Sequence, residues 1–154
     1  MDRITERERQ IAAFTFALGW DDGRNLERLE EADVVLAGVS RTAKTPLCLY
    51  LAGLGVRAAN VPLVPEVPPP EALFALPRGK LIGLNVSPER LRLMRLRRLE
   101  VMGIKNDRGY ATMERVWQEL EFAREVMRRA RCPVVDLTDT AVEEAAAVIL
   151  RHRR

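Results

Sequence analysis

Apolar residues first recur at helical spacing at Ile11, Phe14 and Leu18. They lie behind Thr5 and Glu8, which stand three apart as a capping box. This predicts an amphipathic helix that stops at Gly19-Trp20, before the turn DDGRN. DVVLAG follows, a short continuous apolar run of the kind buried on both faces of a parallel sheet. Leu47, Tyr50, Leu51 and Leu54 return to helical spacing, with Pro46 in the first turn and Gly53 and Gly55 at the end. VRAANVPLV and KLIGLNV read as two further strands, separated by PEVPPPEALFALP, a stiff irregular stretch with five prolines in thirteen residues. Ser87 and Pro88 open a helix that runs to about Met102. GIKNDRGY is a polar loop. Thr112 to Arg131 forms a long helix with Val116, Leu120, Ala123 and Met127 on one stripe. CPVVDLT is a fourth strand, and Thr140 to Arg151 a closing helix.

Strands alternating with helices imply an α/β fold, a parallel sheet of about four strands with helices on both faces. Residues 1–30 would carry the first helix and the DDG turn, and 31–154 the α/β domain, in one compact unit. In such sheets ligands bind beyond the carboxyl ends of the strands. The turn after the first strand lies there and reads GVSRTAKT, Gly38 to Thr45. It matches the phosphate-binding pattern G-x-x-x-x-G-K-[ST] except at Ala43, so the fold is P-loop-like. Backbone N–H groups of Gly38, Val39, Ser40, Arg41, Thr42 and Ala43, with the positive end of the next helix, could cradle phosphate. Lys44 would supply a point charge, Thr45 a hydroxyl for Mg2+, and Arg41 a second basic group. Alanine at position 43 costs about 1 kcal/mol where φ must be positive and almost nothing elsewhere.

Composition narrows the chemistry. Of 154 residues, 47% are hydrophobic and 31% charged, and no apolar run approaches the roughly 20 residues of a membrane span. The charged, helical start is unlike a signal peptide, and a reducing, cytoplasmic setting fits best. Cys48 and Cys132 lack metal-ligand spacing and read as core residues. His152 is the only histidine, which excludes Ser-His-Asp and Cys-His catalysis and a multi-histidine zinc site. The net charge of +3 gathers in RLRLMRLRRLE, MRRARC and the tail. With aromatics at 5%, stacking platforms are scarce and nucleic acid is disfavoured as a partner.

EADVVLAGVSRTAKTPLCLYLA together with AANVPLVPEVPPP closely resembles the regulatory proteins of pyruvate, phosphate dikinase and phosphoenolpyruvate synthase. DDGRN, SPERL, the spaced Arg95 and Arg98, PVVDLT and EEAAAVIL extend the likeness from about Phe14 to Leu150. The resemblance implies a bifunctional serine/threonine kinase and phosphorylase. Such an enzyme moves the β-phosphate of ADP to a threonine of the target, beside its phosphohistidine. In reverse it uses inorganic phosphate to remove that group as pyrophosphate. Gly38 to Thr45 would then bind ADP, and Lys44 would neutralise the transferring group. The proton acceptor is unassigned, and Asp21 and Asp22 are the candidates as a polar pair in a turn. The stretch corresponds to the family's C-terminal catalytic half. Trp20 stands where the family often has histidine before DDG.

Other residues admit two readings. Arg90, Arg95 and Arg98 on one helix form either a solvated basic face or a clamp for phosphate or an acidic target surface. Asp136 ends the fourth strand and either positions Mg2+ or makes a turn with Thr138. Tyr110 reads as packing. The apolar long helix is compatible with a homodimer. Two other functions fit the same loop: a small-molecule P-loop kinase, and a nucleotide-binding module without turnover.

Overall fold

The computed structural model describes residues 3–21, 25–40, 42, 44–105 and 109–153. Four strands, β1 (Val34–Gly38), β2 (Ala58–Pro62), β3 (Leu81–Asn85) and β4 (Val134–Asp136), form one sheet in the order β2-β1-β3-β4. Every pairing is parallel: Leu36 lies opposite Asn60 and Ile82, and Leu84 opposite Val135. The helices are α1 (Arg3–Gly19), α2 (Lys44–Gly53), α3 (Glu71–Phe74), α4 (Pro88–Met102), α5 (Met113–Ala130) and α6 (Val142–His152). A 3₁₀ segment, Leu26–Glu31, leads into β1. Among the described residues, no helix is long and apolar enough to cross a membrane.

All five residues of β1 are buried, because helices cover both sheet faces. Val34, Leu36, Ala58, Ile82, Leu84 and Val135 face a core closed by α1, α2 and α6. Val35, Ala37, Ala59, Val61 and Leu81 face the core under α3 and α5, where Val116, Leu120, Ala123 and Met127 are all buried as their stripe predicts. Gly38 ends β1 where β3 passes close by. A Cβ there would stand 3.0 Å from the Leu84 carbonyl oxygen, so close backbone approach requires the glycine.

The α4 signals act as read: the Ser87 hydroxyl accepts from Arg90 N at 3.2 Å with Pro88 in the first turn. Gly103 closes the helix with φ 68°. Thr112 likewise caps α5 by accepting from Arg115 N at 3.2 Å. The first helix differs from expectation. It begins at Arg3, ahead of Thr5, and Ile11, Phe14 and Leu18 point outward, 59%, 40% and 63% exposed. The buried face is Ala13, Phe16 and Ala17. Small residues let α1 and α2 approach closely, and two apolar stripes on one helix leave periodicity unable to choose between them. The proline-rich stretch also contains a short helix, α3, which buries Leu73.

Cys48 is buried in α2, 2% exposed. Burial, with Asp21 adding repulsion, pushes its thiol up from 9.0 to about 12, against a smaller opposing pull from Lys44. The folded state therefore holds this proton more tightly than the unfolded chain does. Its contribution to stability is complete below pH 9 and is lost as pH climbs from 9 towards 12. At pH 8, Ellman's reagent should modify Cys132, which is only partly buried, while sparing Cys48 until denaturant unfolds the chain. Equal rates for the two thiols in the native protein would contradict this burial.

Candidate functional site

β1 stops in the middle of the sheet, and the chain turns through Val39 and Ser40 before α2 starts at Lys44. The Val39 carbonyl collects two side-chain donors, Lys44 Nζ at 2.7 Å and Thr42 Oγ1 at 2.8 Å. Both donors are buried, 5% and 2% exposed. A buried ammonium and hydroxyl need such partners, and satisfying them at one oxygen curls the loop over its own start. Arg41 and Ala43 lie outside the described residues, and so does Asp22.

Asp21 is brought to this loop by β2. Asn60 N donates to the Trp20 carbonyl at 3.1 Å, and Trp20 stacks on Phe16 with ring centroids 4.1 Å apart. The end of α1 is thus pinned to an edge strand. Asp21 Oδ1 then accepts from Thr45 Oγ1 at 2.9 Å and from Asn60 Nδ2 at 2.8 Å. Asn60 Nδ2 also reaches Thr45 Oγ1 at 3.1 Å. Asn60 is 2% exposed, and its Oδ1 is buried without a hydrogen-bond partner. Both bonds to Asp21 use Oδ1, so neither occupies Oδ2.

The three arginines of α4 have three different surroundings. Arg95 is fully buried, and its guanidinium grips Glu119 of α5 bidentately at 2.7 and 3.1 Å. It also donates to Ser40 Oγ at 3.2 Å and to the Tyr110 carbonyl at 3.0 Å, with its Cζ 4.6 Å from the centre of the Tyr110 ring. The expected clamp is therefore not found at Arg95, nor is a solvated face. Its charge is neutralised inside the protein, where it props the Ser40 turn. Arg98 is exposed and lines an open cleft of about 680 Å³ with Asp21, Ser40, Lys44, Thr45 and Asn60. Arg90, also exposed, lines a separate cavity of about 120 Å³ on the other side of the loop.

Asp136 is exposed on the edge strand β4. Burial would raise its carboxyl, but hydrogen bonds from Thr138 and Asn85 and the charge of Arg124 hold it below the usual range. Its Oδ1 accepts from Thr138 N at 2.8 Å, and Thr138 Oγ1 accepts from Ser87 N at 2.9 Å. This is the turn role, and it joins the ends of β3 and β4. Among the described residues, no group of three or more His, Cys, Asp or Glu side chains could hold a metal ion.

Two residues of this arrangement, Glu119 and Asn60, escaped sequence reasoning, although each left a trace. Glu119 falls inside the apolar stripe of α5, three after Val116 and one before Leu120. Arg95 falls four after Leu91 on the buried side of α4. One charge on the buried face of each of two successive helices signals an internal ion pair. Asn60 is the lone polar residue of β2.

The kinase/pyrophosphorylase family model matches residues 3–150. A protein of Syntrophomonas wolfei provisionally named pyruvate, phosphate dikinase regulatory protein 2 is 49% identical over 142 residues, 92% of this chain and 52% of that protein. Proteins provisionally named pyruvate, phosphate dikinase regulatory protein from Shouchella clausii and Clostridioides difficile are 50% identical over 141 residues and 44% identical over 142 residues. These matches cover 92% of this chain, with 52% and 51% of the respective relatives. The chain spans about half the length of the curated relatives it matches.

Glu119→Ala should cost about 3–5 kcal/mol in urea unfolding, since it strands the buried Arg95 charge. The double variant Arg95→Met, Glu119→Leu should cost less than half as much, because no charge is left unpaired. A loss under about 1 kcal/mol for Glu119→Ala would show that Arg95 reaches water.

Proposed function

The chain belongs to the kinase/pyrophosphorylase family, and from that premise we propose that it carries the nucleotide-binding and phosphoryl-transfer centre of an ADP-dependent serine/threonine kinase. The partner reaction is phosphate-dependent removal of the same group, and the target is pyruvate, phosphate dikinase or phosphoenolpyruvate synthase. The observation that carries the reading is the meeting of Lys44, Thr45 and Asp21 at the carboxyl end of β1, beside an open cleft. The names of the relatives support pyruvate, phosphate dikinase as the target; the synthase rests on the sequence resemblance alone.

On this reading the target threonine hydroxyl attacks the β-phosphorus of ADP in line. The bond from that phosphorus to the oxygen bridging the α-phosphate breaks, and AMP leaves. Such transfer depends on positioning and charge neutralisation more than on covalent chemistry. Lys44 lies within the loop, and its ammonium would exchange the Val39 carbonyl for phosphate oxygens. Arg98, on the opposite wall, adds a second positive charge. The hydroxyl proton goes to Asp21 or to its neighbour Asp22; Oδ2 of Asp21 is the carboxylate oxygen that Thr45 and Asn60 do not use. In the reverse direction inorganic phosphate attacks the phosphothreonine, releasing pyrophosphate and the free hydroxyl from the same centre.

The donor set fits Mg2+. Thr45 Oγ1 and Asp21 Oδ1 are hard oxygen donors 2.9 Å apart, and the buried Asn60 Oδ1 is an acceptor still without a partner. Thr45 and Asp21 would hold the ion. Its chemistry, when bound with nucleotide, is neutralisation of phosphate charge. Asp136 is left out of this set because it lies on the edge strand β4 and does not line the cleft that Asp21 and Thr45 share.

Lys44→Ala should weaken ADP binding at least about tenfold by calorimetry, since it removes a charged donor. Asp21→Asn and Asp22→Asn, assayed with phosphohistidine-charged dikinase, should differ. The variant at the proton acceptor should lose about 100-fold or more in turnover, with ADP affinity measured without Mg2+ within about threefold. A protein that prefers ATP and phosphorylates only small molecules would overturn this reading. So would one that binds ADP tightly and never modifies the dikinase.

A further inference from the structure

The larger cleft lies on the β1–β2 side of the Gly38–Thr45 loop, with Thr45 from α2 and Asn60 from β2 in its wall. The smaller cavity lies on the β1–β3 side, with Thr42 from the loop and Val86 from the end of β3. The chain reverses the direction of sheet growth between β1 and β3: β2 is added on one side of β1, and β3 and β4 on the other. That reversal opens the crevice in which doubly wound sheets take ligands.

The walls of this cavity are largely apolar, Leu47 of α2, Val86, Leu137 after β4 and Val142 at the start of α6, with Thr42 and Thr140 as the uncharged polar side chains among them. Among the described residues that line it, none is acidic, and Arg90 alone is charged. Met94 lines both this cavity and the larger cleft, so α4 and the loop together form the partition between them. Its volume is about 120 Å³. An apolar cavity of roughly 150 Å³ accepts a single aromatic ring. This cavity is slightly smaller but open on one side, so it can take the edge of one ring of a planar heterocycle, with the rest of the ligand in the open mouth. Arg90 is exposed on the first turn of α4, where its guanidinium can lie across such a ring.

We propose that this cavity, between α2, α4 and α6, is the subsite for the base of the nucleoside diphosphate, with Arg90 as its cover. The larger cleft is thereby left for the polypeptide that receives the phosphoryl group. The inference rests on the phosphate-loop reading above and goes beyond it by assigning the two sides of the loop. It also gives Arg90 a different task from Arg98: the first holds the base, and the second faces the transferring charge.

The test compares ADP with pyrophosphate, a probe that has the phosphates and no base. Calorimetry on Val142→Trp, which fills the mouth from a partly exposed position, should show ADP binding weakened at least tenfold and pyrophosphate binding within twofold of wild type. Arg90→Ala, on the surface, should weaken ADP severalfold and leave pyrophosphate unchanged. It decides the matter if thermal melting shows Val142→Trp unfolded. Loss of both ligands together in Arg90→Ala would make Arg90 a phosphate clamp and overturn the base subsite. So would ADP binding unchanged in both variants, or equal affinities of wild type for ADP and pyrophosphate. In those cases the phosphate-loop reading stands, provided Lys44→Ala weakens pyrophosphate. If wild type binds neither probe, both readings fall together.

Discussion

A guanidinium with no access to water ties three parts of this protein together. Arg95 of α4 holds Glu119 of α5, the hydroxyl of Ser40 in the β1–α2 loop and the carbonyl of Tyr110 in the α4–α5 connection. The network continues outward, since Glu119 also accepts from Arg115 at 3.0 Å, and Arg115 pairs with Glu66 beyond β2. Desolvating these charges is expensive, so the pair is weak evidence for stability as such. Its effect is on geometry. A bidentate pair allows one relative placement of α4 and α5, and the remaining donors fix the turn after β1 to that placement. One Arg95 nitrogen, Nε, is buried without a partner, which shows that the arrangement is not optimised for hydrogen bonding alone.

The second constraint is the burial of β1 on both faces and both edges. Its neighbours are parallel strands, so its carboxyl end emerges in the middle of one rim of the sheet. Loops leaving that rim are close together, and two cavities form where β1 meets β2 and where it meets β3. The polar side chains on the first side come from the end of α1, the β1–α2 loop, the start of α2, β2 and α4. None of these elements supplies a site alone. Asp21 reaches Thr45 only because Asn60 holds the end of α1 with its backbone and the carboxylate with its side chain.

The regular elements were legible in the chain because their signals are local. Ser87 with Pro88, Thr112 as a cap, and the stripe from Val116 to Met127 each depend on spacing within a few residues. The apolar run of β1 announced a strand covered twice, and the loop after it carried its own chemical signature. The exposed side of α1 was not legible. Ile11, Phe14 and Leu18 are larger than Ala13 and Ala17, yet the alanines are inside, because close packing against α2 favours the smaller face. Hydrophobicity along one helix cannot register the distance to another.

The α/β class, the alternation of strands and helices that implies a parallel sheet, and the family could be read from the chain alone, the last through a run of residues that no other constraint would assemble. The chain alone also puts Lys44 and Thr45 at the start of a helix after a buried strand, since both facts follow from local pattern. The fates of Arg90, Arg95 and Arg98, which look alike in the chain, were set by packing. One lines a small apolar cavity, one is buried against Glu119, and one faces the open cleft. A charge's role is set by the solvent and partners around it. For residues on one helix, those depend on which of the other elements covers each face.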